Sequence, residues 1–259
     1  MNIVVCVKQV PDTWAERTLR PEDSRLDRAS VDGVINELDE YAIEEGLRLA
    51  EAHGGEVTIL TMGPEKASES IRKALSMGAD KAVHLMDDAL AGSDALATSL
   101  ALATVLQRTG FDLVIMGSEA TDARTGLLAA MLAERLGCPQ LSLASKVEID
   151  GSAITIHRQA DYGYDKVIAT LPAVVSVVEK INEPRYPSFK GIMAAKKKPV
   201  EVLSVADAGI DPAQVGAGAA ATEVVSFSKR PPREAGTIVK DEGDGGVKAA
   251  EFLAAQKFI

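Results

Sequence analysis

The chain has 259 residues, 46% of them hydrophobic, enough for one large domain or two small ones with a sizeable core. Acidic side chains outnumber basic ones 38 to 28, a formal net charge of −10, which argues against a general nucleic-acid binder because phosphate contacts need a positive face. Two cysteines, Cys6 and Cys138, are too few for a disulfide framework or a cysteine-ligated cluster. No segment is apolar for long enough to insert in or cross a bilayer, and the start "MNIVVCVKQV" lacks the pattern of a secretory signal, so a reducing cytoplasm is expected.

In chain order, residues 2–8 ("NIVVCVK") read as a compact apolar strand, followed by a polar loop with the lone tryptophan, Trp14. "LDEYAIEEGLRLAEAHGG" reads as a helix: Ala42, Ile43, Gly46, Leu47 and Ala50 share a face, acids crowd its first turns, and Gly54-Gly55 stops it. Strands follow at 56–62, 81–86 and 111–117. Between them lie a helix opened by Gly63-Pro64 and an apolar one for which Ser93 is the expected cap. "TGLLAAMLAERLG" is the next helix. Continuous apolar strands separated by helices predict a parallel sheet covered on both faces. From 141 to 178 the pattern alternates around an Asp-Gly turn at 150–151, which predicts antiparallel hairpins added at the sheet edge. "VEVLSV" is one more strand. The expected architecture is an open, mainly parallel α/β sheet of the Rossmann-like, adenine-nucleotide-hydrolase-like kind. Residues 1–205 form the nucleotide-binding domain and 206–259 an extended arm ending in a short apolar helix with Phe252, Leu253 and Phe258.

Ligands of such sheets sit beyond the carboxyl ends of strands, where helix N-termini offer free N–H groups to anions. The loops after Cys6, at Met62-Gly63-Pro64 and in "GSEATDARTG" all fall at that edge and outline a nucleotide-sized cleft. In the last loop Gly117 turns the chain, Ser118, Thr121 and Thr125 add hydroxyls, and Gly126 lets a helix start lie close to a phosphate; an ordinary strand–helix connection is the equally weighted alternative. No Walker lysine motif is present, which argues against phosphoryl transfer. "GAGAAA" (216–221) imitates a dinucleotide fingerprint without the flanking strand and helix and reads as linker. His53, His84 and His157 stand alone, so no metal site and no catalytic base is assigned. A cleft without a catalytic constellation suits binding or electron transfer rather than an enzyme with its own substrate turnover.

Several long segments resemble the beta subunits of electron transfer flavoproteins. "LPAVVSVVEKINEPRYPSFKGIMAAKKKPVEV" is similar to that family's signature nearly residue for residue, and "CVKQVPDT", "NELDEYAIEEGLRL" and "GPEKASESIRKALSMGADKAVHL" match its N-terminal half. The resemblance covers about the whole chain. It implies a heterodimer with an alpha subunit that holds most of the FAD site. This chain then binds AMP or, in electron-bifurcating members, a second FAD. Carried across, the AMP positions are Cys6, Asn36, Met62 and the run Gly117, Ser118, Glu119, Ala120, Thr121, Asp122, Ala123, Arg124 and Thr125. "NELD" departs here from the Asn-Pro-Phe-Cys of many members, and the 117–126 loop is shorter than the mitochondrial type. Electrons are expected to arrive from primary dehydrogenases such as acyl-CoA dehydrogenases and to leave for a membrane quinone oxidoreductase. The segment 182–198 is expected to be the loop that docks the dehydrogenase, with Phe189 as its anchor beside Tyr186, Ile192 and Met193. Lys196, Lys197 and Lys198 steer acidic partners or cap a helix end. Gln159 stands where the family often has an acid that pairs with an alpha-subunit arginine, leaving Asp161 to substitute or the flavin-domain equilibrium to be set differently. A stand-alone adenine-nucleotide sensor shares the architecture but leaves the signature segment and the arm unexplained.

Overall fold

The computed structural model describes all residues except 234, 235 and 237, three positions of the expected arm. Nine strands form one sheet in the order β11-β5-β4-β1-β6-β10-β7-β8-β9. They are β1 (Asn2–Cys6), β4 (Glu56–Met62), β5 (Lys81–Leu85), β6 (Leu113–Gly117), β7 (Gln140–Asp150), β8 (Ala153–Ala160), β9 (Gly163–Thr170), β10 (Ala173–Val177) and β11 (Val200–Leu203). From β11 to β7 all neighbours run parallel, and β7, β8 and β9 close the other end as an antiparallel meander. A separate ribbon pairs β2 (Gln9–Pro11) with β3 (Gly33–Ile35). The sheet is therefore mostly parallel and α/β, as the alternation of apolar runs and helical periodicity predicted.

Helices α1 (Glu37–His53), α2 (Ser68–Met77) and α5 (Phe189–Ala195) lie on one face, and α3 (Ala95–Thr109) and α4 (Leu128–Leu136) on the other. Successive residues of β1 point to opposite faces, so Ile3 and Val5 join Ile43, Leu47 and Leu75 while Val4 joins Leu102, Leu106 and Leu132. Each such side chain contributes about 1.5–3 kcal/mol on burial. Gly46 sits mid-helix because a Cβ there would stand 3.0 Å from a Val5 methyl; it lets α1 lie close on β1.

Four differences from the sequence expectations have physical reasons. β10, read as part of the edge hairpins, lies inside the sheet between β6 and β7, parallel to both and buried at every residue. "AVVSV" is a continuous apolar run rather than an alternating one, which suits a strand covered on both faces. α3 is capped by Asp94, whose carboxylate accepts from Ala97 N at 2.9 Å, not by Ser93. The Ser93 hydroxyl donates to Leu90 O and accepts from Gly216 N. Thirdly, Ala208, Ile210 and Val215 complete the α3 face of the core, so the compact unit runs from Met1 to Val225 rather than ending at 205. Lastly, "GAGAAA" is no free linker: Ala217 N donates to Ala91 O, and Ala221 N and Thr222 N to Asp94 Oδ2. A second unit, Ser226–Ile259, contains α6 (Gly245–Ala255), on and after which Phe252, Leu253, Phe258 and Ile259 are exposed.

Candidate functional site

Cys6, Met62 and Gly117 are the last residues of β1, β4 and β6, three strands that lie side by side in the sheet. The β1–β6 ladder runs only from Ile3↔Leu113 to Val5↔Ile115, after which the chains part. This is also where the strand order reverses: β4 and β5 lie to one side of β1 and β6 to the other, the place where open α/β sheets bind ligands.

α1 starts at this edge and supplies two polar anchors. Asn36, 1% exposed, donates from Nδ2 to Glu119 O (3.0 Å) and accepts Thr121 N at Oδ1 (3.1 Å), so one amide fixes the loop after β6. Asp39 accepts Lys8 N (2.8 Å) and Gly117 N (3.1 Å), one on each oxygen. Gly117 has no room for a side chain, since a Cβ would stand 2.7 Å from Asp39 Oδ1 and from Leu38 Cβ. Asp122, whose side chain is fully covered, takes Lys8 Nζ at 2.8 Å and the Arg28 guanidinium at 2.7 Å. Burial works against its charge, but Lys8 and Arg28 outweigh it and hold this carboxyl below the usual range. Arg17 reaches the same loop, donating to Thr121 O at 2.7 Å. The Cys6 thiol is pushed up to about 12, first by burial and then by Asp39, so it is a neutral packing group.

The sequence-predicted residues are therefore placed differently. Asn36 and the Asp122 side chain are buried and shape the loop, Cys6, Met62 and Gly117 end three adjacent strands, Ser118, Glu119 and Ala120 are half-buried, and Ala123, Arg124 and Thr125 face outward. Between them, Thr121 Oγ1 is covered and has no partner among the described residues. The loop enters α4 without a side-chain cap. An orphaned hydroxyl and uncapped N–H groups suit a phosphate. Lys8, Asp39, Arg17 and Arg28 were missed by the sequence reading. Asp39 had one local signal, an acid in the first turn of a helix that faces strand ends. A shallow cavity of about 490 Å3 lies beside this edge, among Asp12, Trp14, Ser30, Asp32 and Lys66.

The second candidate surface is the segment 182–198. Arg185 grips α1 by a fork to Glu44 (2.7 and 3.0 Å) and by Glu51 (2.6 and 3.1 Å), while Asn182 donates to Tyr41 O and Glu45. Phe189, placed in a loop by the sequence reading, instead begins α5, which Ser188 caps through Gly191 N (3.0 Å). Gly191 and the buried Ala195 turn α5 onto α2. Tyr186 and Phe189 are 92% and 81% exposed, and Ile192 and Met193 about half so. The three lysines do not act alike. Lys196 and Lys197 are exposed, whereas Lys198 Nζ donates to Leu75 O, Gly78 O and Ala79 O at 2.6–3.0 Å, closing the C-terminal end of α2. Helix capping therefore falls to Lys198, and only Lys196 and Lys197 remain fully exposed. In the meander, Gln159 Oε1 is buried without a partner, Asp161 is exposed, and His157 stacks on Tyr164 at 4.3 Å.

Among the described residues no helix is long and apolar enough to cross a membrane. The electron transfer flavoprotein domain family matches residues 24–208. An electron transfer flavoprotein subunit beta from Mycobacterium tuberculosis is 52% identical over 100% of this chain and 99% of its own length. One from Megasphaera elsdenii is 36% identical over 100% of both. The Caffeyl-CoA reductase-Etf complex subunit CarD of Acetobacterium woodii is 37% identical over 91% of this chain and 90% of that protein.

Proposed function

The chain belongs to the electron transfer flavoprotein beta-subunit family, and from that premise we propose that it works as one half of a heterodimeric electron carrier. It pairs with an alpha subunit that holds most of the FAD, whose isoalloxazine supplies the electron-accepting chemistry when bound. Primary dehydrogenases, acyl-CoA dehydrogenases among them, deliver the electrons, and a membrane quinone oxidoreductase receives them; the location is cytoplasmic. This chain's own residues bind and orient. Gly117 to Thr125, with Asn36, Cys6 and Met62, hold AMP at the strand ends as a structural nucleotide, and α5 presents Phe189, Tyr186, Ile192 and Met193 to the dehydrogenase.

The observation that carries the reading is the exposed apolar face of α5. Its other side is committed to α2, Arg185 and Ser188 hold the segment at its start, and Lys198 holds it just past its end. An aromatic this exposed on an otherwise well-satisfied helix suits a partner's pocket, the place where a transient interface concentrates its energy. The meander and the second unit with α6 are assigned to the alpha subunit.

The nucleotide released on denaturing the purified complex tests the assignment. One flavin and one AMP per heterodimer is the expected result. Two flavins would establish the second reading, a subunit with FAD in place of AMP. A stable homodimer that binds adenine nucleotide but no flavin subunit would overturn both.

A further inference from the structure

We propose that Asp39 is the positioning residue of the nucleotide site: its carboxylate ties the end of β1 to the end of β6, so that the loops after both strands face one ligand. The proposal rests on the nucleotide reading of that cleft. Beyond Val5↔Ile115 no ladder bond joins the two strands, yet the loops that follow them must be held at a fixed separation. Lys8 N and Gly117 N, one from each chain, both point at Asp39, at 2.8 and 3.1 Å. Asn36 then fixes the next part of the β6 loop through Glu119 O and Thr121 N. One turn of α1 thereby sets the geometry of both walls.

The choice of residue is chemically specific. A side chain that receives two N–H groups from opposite sides must offer two acceptor oxygens, which an ionised carboxylate does and an amide does not. An asparagine here would aim its own NH2 at one of the donors. The carboxylate is also an expensive device. Asp39 is 5% exposed and lacks a cation of its own, because the Lys8 ammonium is given to Asp122 at 2.8 Å. Burial pushes its carboxyl up to about 6 against the opposing N–H bonds. A neutral group would fill the space at lower cost if packing were the whole task.

The other titratable groups on the elements packed against Asp39 are few. From β1 come the Cys6 thiol, neutral up to about 12, and Lys8, paired with Asp122. β6 and β10 contribute no titratable side chain, and β4 contributes Glu56, paired with Lys81 at its far end. α2 contributes Lys73, which pairs with Glu40 on α1. Protonation of Asp39 turns one acceptor into a hydroxyl facing an N–H, and one of the two ties is lost.

The test is AMP affinity of the purified complex with its flavin subunit, measured from pH 5 to pH 7.5 for the wild type and Asp39→Asn. The variant is expected to bind AMP about tenfold more weakly at pH 7.5, the scale of one hydrogen bond to a charged group. The ratio of the two dissociation constants is expected to fall toward one by pH 5, as the wild type loses its own tie. AMP's second phosphate ionisation, near pH 6, is common to both proteins and cancels in that ratio. Equal affinity at pH 7.5, or a ratio that does not change with pH, overturns the proposal. If Asp39→Asn does not assemble, adenosine on the wild type decides: its affinity must fall several-fold between pH 7.5 and 5, and a flat profile overturns the proposal. If FAD fills the site, the same comparison is made with FAD. A wild-type complex that binds none of these nucleotides here removes the site reading, and the proposal with it. An AMP-binding wild type with an unaffected variant removes only the role of Asp39.

Discussion

At the scale of single residues, burial separates side chains that hold the fold from side chains that face a partner. Phe189 is 81% exposed, so Phe189→Ala is expected to leave stability within about 0.5 kcal/mol of wild type. Loss of a docking anchor typically costs about 2 kcal/mol, or roughly thirtyfold in affinity. Dehydrogenase-driven flavin reduction should therefore show a raised KM at unchanged flavin content and unchanged Tm. An Ala variant with a normal KM would take the anchor role from Phe189. Lys198, three residues beyond the end of α5, belongs to the other class. Its ammonium serves three carbonyls at the end of α2, and burial lowers its pKa, so the charge is already held at some cost. Lys198→Met is expected to lower stability by about 1–3 kcal/mol, the penalty for unpaired carbonyls, with little change in the salt dependence of electron delivery. Lys196→Gln with Lys197→Gln should do the reverse: thermal denaturation stays put, while the association rate falls and the deficit shrinks at high salt.

At the scale of elements, most of the sheet was legible because its strands are apolar runs ended by glycine or by a helix start, a local property of the chain. β4 is a case in point, since its bounds coincide with the predicted 56–62. β10 carried one local sign of an interior strand, its continuous apolar run, but its place between β6 and β7 was not legible, because that depends on which chain arrives beside it. The edge of the site was readable for the same local reason: three strand ends fell on Cys6, Met62 and Gly117. Its polar scaffold was not. Asp39 meets Lys8 and Gly117 across 31 and 78 residues, and Arg28 meets Asp122 across 94, and no sequence period encodes such pairings. The seat of α5 is likewise a tertiary fact, and it yields a prediction. A Cβ on Gly191 would stand 2.5 Å from Ser76 O, a backbone atom that cannot rotate away. The helix propensity gained by Gly191→Ala is about 1 kcal/mol, and the overpacking cost of about 1–3 kcal/mol outweighs it. The variant is expected to melt lower and to dock dehydrogenases less well, because α5 must lift from α2. An Ala variant as stable as wild type and equally active would show that α5 does not need this close approach.

At the scale of the whole molecule, the chain divides after Val225 into a unit that closes its own core and a tail that does not. The first unit buries apolar side chains on both faces of the sheet, and its last pieces are fixed locally: Val215 is in the core, and Thr222 is bonded to Asp94. The second unit carries Phe252, Leu253, Phe258 and Ile259 exposed on and after α6. An eleven-residue helix is marginal in water by itself, since too few hydrogen bonds repay its nucleation, so its apolar side needs a surface to persist. The alpha subunit is the partner that the family provides. Four such side chains, fully covered there, would contribute on the order of 6–12 kcal/mol before the cost of ordering the tail, enough for a major part of a subunit contact. A chain ending at Val225 is therefore expected to keep the melting temperature of the isolated full-length subunit within a few degrees. Its affinity for the alpha subunit should fall at least a hundredfold, read by titrating one purified subunit with the other. Two results would count against this assignment: undiminished subunit affinity, or a truncated chain that no longer folds, which would make the tail part of the core it is here separated from.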